Sequence, residues 1–144
     1  MKLKGWEKKY DEILKEFHYS KIKDTASAQI LSSILKTKYP LKKLEEKIKN
    51  QTVFVIGAGS SLTQSIPQLK KYKNITKIVA DGATRALIEN KIKPDIVVTD
   101  LDGNEKFLKK AGKENSIMVV HAHGDNIEKL HLVLNFKYCI GTTE

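Results

Sequence analysis

The sequence predicts an α/β fold: a doubly wound, mostly parallel sheet of about five or more strands, with an N-terminal helical cap. Three observations predict it. From Thr52 onward, short β-branched runs alternate with helical stretches over short connections. Runs such as Ile96-Val97-Val98 are apolar without alternation, as in strands buried on both faces of a parallel sheet. Residues 1–50, by contrast, read as helices throughout.

In that leader Trp6, Tyr10, Ile13, Leu14 and Phe17 recur at three- and four-residue steps, an apolar stripe expected to be core rather than a ligand cage. Asp24 is the expected N-cap of a second helix carrying Ile30, Leu31, Ile34 and Leu35, and Pro40 opens a third with Leu41, Leu44 and Ile48. The strands expected next are 53–56, 77–80, 96–99, 117–120 and 138–140. The helices between them are expected at 62–72, 84–90, 104–111 and 126–136. Right-handed crossovers then give parallel strands, and ligands in such sheets bind outside the carboxyl ends, near the switch point.

At 144 residues, 40% apolar and 30% charged, the chain is one domain with at most a small appendage and can bury a core. No apolar run approaches the ~20 residues of a membrane span, and residues 1–7 lack the apolar block of a signal peptide. The expectation is a cytoplasmic protein without a membrane partner. Lone Cys139 excludes a disulfide framework and a cysteine-based zinc site, and reads as packing. The charge of +9 comes from dispersed lysines with a single arginine, Arg85, and no aromatic-interleaved basic strip. Dispersed lysine favours anionic small molecules; nucleic acid is not expected as a partner.

What lies after each strand carries the functional argument. The first is followed by Gly57-Ala58-Gly59-Ser60-Ser61, the second by Asp81-Gly82-Ala83, and the third by Asp100-Leu101-Asp102-Gly103. The fourth leads into His121-Ala122-His123-Gly124-Asp125-Asn126 and the fifth into Gly141-Thr142-Thr143-Glu144. Five glycine–polar clusters on one edge describe a site, so residues 51–144 read as a Rossmann-like nucleotide- and metal-binding domain behind a helical cap of residues 1–50.

Gly57 and Gly59 allow close backbone approach to an anion, and Ser60, Ser61 and the following helix amides can meet phosphate oxygens. The loop is neither a Walker motif nor a complete dinucleotide fingerprint, since Leu62 stands where the third glycine belongs. Asp81, roughly 20 positions on, sits where a ribose-binding acid would. Hydride transfer, however, has no use for Asp100, Asp102 and Asp125 on the same edge. On an extended chain Asp100 and Asp102 point to one side, and Gly103 lets the backbone turn away. Two such charges ~4 Å apart repel by about 4 kcal/mol at an effective dielectric near 20, and a divalent cation relieves this. Mg²⁺ takes one or two protein carboxylates, waters and phosphate oxygens, so Asp81, Asp100, Asp102 and Asp125 suffice as metal ligands. Histidines 121 and 123 before an acid also suit a metal-dependent phosphohydrolase, the main rival. Read alone, His121 is as readily a loop-bonded residue and His123 a polar lining residue.

The ordered strings Gly-Ala-Gly-Ser-Ser-Leu, Ala-Asp-Gly-Ala, Pro-Asp-Ile-Val-Val-Thr-Asp-Leu-Asp-Gly and His-Ala-His-Gly-Asp-Asn resemble the archaeal 6-hydroxymethyl-7,8-dihydropterin pyrophosphokinase family, with an echo of thiamin pyrophosphokinases. The match runs from about Val53 to Gly141. The resemblance implies Mg²⁺-dependent transfer of the terminal diphosphate of ATP to the hydroxymethyl oxygen of a reduced pterin, releasing AMP, in tetrahydromethanopterin or folate-type synthesis. Ser60 stands where the family usually has proline. Family members also continue past Thr143 into a further glycine- and aspartate-containing motif, so a C-terminal portion is expected to be missing.

On this reading Asp100, Asp102, Asp125 and His123 carry catalysis, with Asp125 or His123 as proton acceptor. Gly57, Gly59, Ser60, Ser61, Asp81, Gly82, Arg85, His121 and Thr142 hold the nucleotide, Arg85 being equally suited to a surface ion pair. Assembly into a homo-oligomer is compatible with all of this. The alternatives are the phosphohydrolase and, for a shortened chain, a non-catalytic nucleotide-binding module.

Overall fold

The structure, a computed structural model, describes residues 4–35 and 38–143. Three helices, α1 (Trp6–Glu16), α2 (Lys21–Ile34) and α3 (Leu41–Ile48), precede the strands β1 (Val53–Ile56), β2 (Thr76–Ala80), β3 (Ile96–Thr99), β4 (Ile117–His121) and β5 (Tyr138–Thr142). Helices α4 (Leu62–Lys71), α5 (Asp81–Glu89) and α6 (Glu105–Lys113) and a 3₁₀ helix (Ile127–Asn135) alternate with them. All five strands are parallel, giving the α/β architecture expected: a parallel sheet flanked by helices behind an N-terminal helical region. They lie in sequence order, so the reversal that marks a switch point falls between no two described strands.

Successive right-handed crossovers in one direction put the connecting helices on one face of the sheet. Burial follows. Phe54, Ile56, Val79, Val97, Met118, Val120 and Cys139 pack towards Ile66, Leu69, Leu87, Leu108, Leu130 and Leu132, in two adjoining clusters. On the opposite face Val55 is 80% and Val98 45% exposed. Lys38 bridges in parallel to Cys139, with the Tyr39 amide donating to the Cys139 carbonyl at 2.9 Å, which covers the free edge of β5. Because β1 forms the other edge, residues 40–52 must cross the width of the sheet, roughly 19 Å at ~4.8 Å per strand.

Several local expectations change. Ser20, not Asp24, caps α2: its hydroxyl accepts the Lys23 amide at 3.4 Å, leaving Asp24 inside the first turn. The aromatic stripe of α1 is not core, for no α1 residue is buried and Phe17 is 60% exposed. Its rings pack on one another instead, Trp6 on Tyr10 with centroids 6.2 Å apart. Helix α5 starts directly at Asp81, where an acid in the first turn suits the positive helix end. Residues 127–135 wind as a 3₁₀ helix, whose three-residue repeat stacks buried Leu130 and Val133 on one face.

Two buried polar groups are accounted for. Lys77, 2% exposed, donates its ammonium to the carbonyls of Tyr72, Lys73 and Ile75 just beyond α4, where the helix dipole is negative. Burial pushes the Cys139 thiol up to about 12, so it stays protonated and packs as a small apolar group, as expected.

Leu31 on α2 is 2% exposed and belongs to the same cluster as Val97, Met118 and Cys139. Leu31→Ala is therefore expected to destabilise the whole fold by about 3 kcal/mol. Thermal unfolding followed by circular dichroism should show one transition, shifted down by several degrees. An unshifted transition would mean that α2 docks without contributing to the core.

Candidate active site at the carboxyl edge of the sheet

Because every strand is parallel, Gly57, Asp81, Asp100, His121 and Thr142 emerge on the same edge. The registers Ala80 with Val98, Thr99 with Val120 and His121 with Thr142 keep those ends level.

The β2 and β3 exits are clasped together through Asp81. Its Oδ2 accepts the Thr99 hydroxyl at 3.0 Å and the Gly103 amide at 3.0 Å, while Oδ1 accepts the Gly82 amide at 2.6 Å. A Cβ on residue 103 would stand 3.0 Å from the Asp81 Cβ, so glycine is there for close approach. The turn expected of Gly103 is made by Leu101, left-handed at φ 70° and buried. Its amide donates to the Thr99 hydroxyl at 2.7 Å, which helps to hold this unfavourable conformation. Asp100 and Asp102 thus flank a turn instead of extending a strand, and the Asp102 amide reaches Asp100 Oδ1 at 3.3 Å. Their carboxylates are half-buried and exposed respectively.

Lys129, on the 3₁₀ helix, completes this group and was not foreseen. Its ammonium donates to Asp102 Oδ1 at 2.5 Å. That hydrogen bond outweighs desolvation and, with the charges of Asp102, Asp100 and Asp81 added, holds its pKa above the usual lysine range. The sequence signal was a lysine one turn beyond the His-Gly-Asp-Asn cluster, which lysine-rich surroundings conceal.

The β4 exit is fixed by Asn126, 1% exposed. Its Nδ2 donates to the carbonyls of Asp100 at 2.8 Å and His121 at 2.7 Å; its Oδ1 accepts the His123 amide at 3.1 Å and the Ser27 hydroxyl at 3.3 Å. Asp24, the displaced cap, serves the same loop. Its carboxylate accepts the Gly124 amide at 2.6 Å and the Tyr10 hydroxyl at 2.5 Å. A Cβ on residue 124 would meet Lys23 Cβ at 2.6 Å, so only glycine fits beneath α2.

The histidine rings stack with centroids 5.9 Å apart. His121 Nδ1 shares a hydrogen bond with the Thr142 hydroxyl at 3.2 Å, and His123 Nδ1 accepts the Asp125 amide at 3.4 Å. With Nδ1 accepting, a neutral His123 carries its proton on Nε2 and is a donor there. Asp125 is exposed, adjacent to Asn126, and shares no hydrogen bond or ion pair with the three other acids. Arg85 takes the ion-pair alternative, with its Nε 2.9 Å from Glu89 and its guanidinium over the Phe107 ring.

The glycine-rich loop 57–60 is exposed, with open space where a Cβ would stand on Gly57 or Gly59. It adjoins the Asp81 turn, since a Cβ on Gly82 would lie 3.2 Å from that of Ala58. Beside it a cleft of about 360 Å³ is lined by Gly57, Ser61 and Ser65 together with Phe54, Leu69 and Tyr72. Glu144, the end of the fifth cluster, lies outside the described residues.

Among the described residues no three His, Cys, Asp or Glu side chains form a ready metal-binding group. The donor set nevertheless fits Mg²⁺, which needs only one or two protein carboxylates beside phosphate and water oxygens. Lys129 on Asp102, in the field of Asp100 and Asp81, shows that the site already holds a positive charge.

Asn126→Ala removes four hydrogen bonds and leaves two carbonyls, an amide and the Ser27 hydroxyl without that partner, so a loss of roughly 3 kcal/mol is expected. Hydrogen exchange should show faster opening of the His123 and Gly124 amides than of the β-strand amides. Uniform loss of protection would make Asn126 a general core residue.

Comparisons with known proteins bear on what this edge does. A model of the family described as 6-hydroxymethylpterin diphosphokinase MptE-like matches residues 26–144. The chain is 45% identical over 136 residues to the 6-hydroxymethyl-7,8-dihydropterin pyrophosphokinase of Methanocaldococcus jannaschii, a match covering 90% of this chain and 56% of that protein. It is 45% identical over 148 residues to the enzyme of the same name from Pyrococcus furiosus, and 35% over 146 residues to that of Methanothermobacter thermautotrophicus. Both matches cover all of this chain and, respectively, 62% and 63% of those relatives, so the chain spans less than two thirds of the proteins it matches.

Proposed function

The chain belongs to the 6-hydroxymethylpterin diphosphokinase MptE-like family, and from that premise we propose that its carboxyl edge binds Mg-ATP and transfers the terminal diphosphate to the hydroxymethyl group of 6-hydroxymethyl-7,8-dihydropterin. The observation that carries this reading is the clasp of Asp81 on Thr99 and Gly103, which ties the loops bearing two acidic motifs to each other beside the glycine-rich loop.

The reaction forms a bond between the pterin hydroxymethyl oxygen and the β-phosphorus and breaks that phosphorus's bond to the bridging α–β oxygen. AMP leaves with that oxygen. Bound Mg²⁺ would supply charge neutralisation on the phosphates. Asp100 and Asp102 would hold it, with Asp81 keeping their turn in place. Gly57, Gly59, Ser60 and Ser61 offer amides and hydroxyls to phosphate oxygens. The hydroxyl proton has Asp125 as its acceptor, because Asp125 is exposed and its carboxylate is uncommitted among the described residues, whereas His123 has Nδ1 engaged. His123 Nε2–H then suits a phosphate oxygen as donor. The comparisons support a pterin as acceptor through the names of the relatives.

The phosphohydrolase is the weaker reading. A two-metal hydrolase uses a preassembled ligand set, and among the described residues no three His, Cys, Asp or Glu side chains form one.

The test incubates the protein with Mg-ATP, with and without 6-hydroxymethyl-7,8-dihydropterin, and resolves AMP, ADP and phosphate. AMP and pterin diphosphate in equal amounts, dependent on the pterin, are expected. ADP, or phosphate without acceptor, would reject the transfer. Asp102→Asn should lower turnover roughly hundredfold or more, the scale of losing one transition-state electrostatic contact, with unfolding almost unchanged because the side chain is exposed.

A further inference from the structure

The lysine at this edge raises a question that the proposed reaction leaves open: what holds the carboxylate group together when no metal–nucleotide complex is bound. Lys129 reaches across from the 3₁₀ helix to Asp102, far away in sequence, and its ammonium lies in the combined field of Asp102, Asp100 and Asp81. Its backbone is fixed, for the Lys129 amide donates to the Asn126 carbonyl at 2.9 Å and Asn126 is itself bonded to Asp100. The ammonium therefore hangs from the same buried anchor that sets the β3 exit. The pair is open to solvent, Lys129 being 47% and Asp102 66% exposed in their side chains. Exposed ion pairs contribute little net stability, so this one is readily exchanged, whereas a buried pair would lock the carboxylate.

We propose that Lys129 is the resident cation of the acidic edge, held on Asp102 until a divalent cation bound to nucleotide phosphates takes that carboxylate, whereupon the released ammonium pairs with a phosphate oxygen. The inference rests on the reading of the edge as a metal–nucleotide site. It assigns Lys129 two opposed effects. Towards a bare divalent cation it is a competitor, since both need Asp102. Towards the metal–nucleotide complex it is a ligand, since the phosphates offer it a new anionic partner. A lysine, with its compact charge and rotatable stem, suits such an exchange better than a planar guanidinium fixed by bidentate bonding.

Opposite signs in one variant make the test. Lys129→Met keeps the length of the side chain and removes the charge. Mn²⁺ binding, followed by electron paramagnetic resonance of the free ion without nucleotide, should tighten several-fold in the variant. Binding of MgADP, followed by calorimetry, should weaken at least several-fold. Lys129→Arg, which retains the pairing with Asp102, should leave Mn²⁺ binding close to wild type. Circular dichroism confirms that each variant is folded. If Lys129→Met shifts neither ligand, or weakens both, the exchange is wrong. Wild-type protein that binds MgADP while Lys129→Met leaves Mn²⁺ affinity unchanged rejects this inference alone. Wild-type protein that binds neither Mn²⁺ nor MgADP rejects it together with the proposed function.

Discussion

The constraint on which the edge depends is the side-chain amide of Asn126. An asparagine amide has two donor hydrogens and an oxygen with two lone pairs, and here all four are used in a buried position. The partners come from three parts of the chain: Ser27 in α2, the Asp100 carbonyl after β3, and the His121 carbonyl and His123 amide at and just beyond the end of β4. Parallel strands bring their ends to one edge but leave the loops beyond free to diverge. One saturated amide removes that freedom, because moving either loop strands a polar group away from water. The Asp81 carboxylate does the same between β2 and β3, so the loops from three consecutive strands are tied in series.

This arrangement changes what the N-terminal helices are for. Helix α2 contributes Leu31 to the core, but it also contributes Ser27 and Asp24 to the loop that carries His123 and Asp125. Asp24 accepts from Gly124 and from Tyr10 of α1, so the exposed aromatic helix connects to the edge through one carboxylate. The core and the candidate site thus share an element, and perturbing α2 disturbs both.

Much of this was legible in the sequence. Unbroken β-branched runs and glycine–polar clusters gave the strands and their edge, because both follow from local chemistry and the handedness of crossovers. What stayed hidden depended on pairs distant in sequence. Asp24 looks like a cap because it precedes an apolar helix; only the Gly124 amide, 2.6 Å away, shows its use. Lys129 is one lysine among many until the fold sets it against Asp102. Asn126 reads as the end of a loop motif, and nothing local says that it is buried. The turn at Leu101 was hidden for another reason. Glycine is the usual left-handed residue, and Gly103 drew the assignment, yet the Thr99 hydroxyl supports Leu101 there while Gly103 makes room for Asp81.

The charge distribution completes the physical argument. The chain carries +9 overall, largely from lysines spread over its surface, so a polyanion is drawn towards it from solution. At the edge itself acids dominate, with the Lys129 ammonium on Asp102 and in the field of Asp100 and Asp81. A bare polyphosphate attracted by the long-range field meets local repulsion there. A polyphosphate that arrives with its own divalent cation meets carboxylates able to share that ion, while the glycine-rich loop offers amides to the remaining oxygens. On the proposed reading, opposing near and far fields select the metal–nucleotide complex over free nucleotide. Screening then separates the two contributions, because added salt weakens attraction over a distance beyond ~10 Å far more than contacts within the edge.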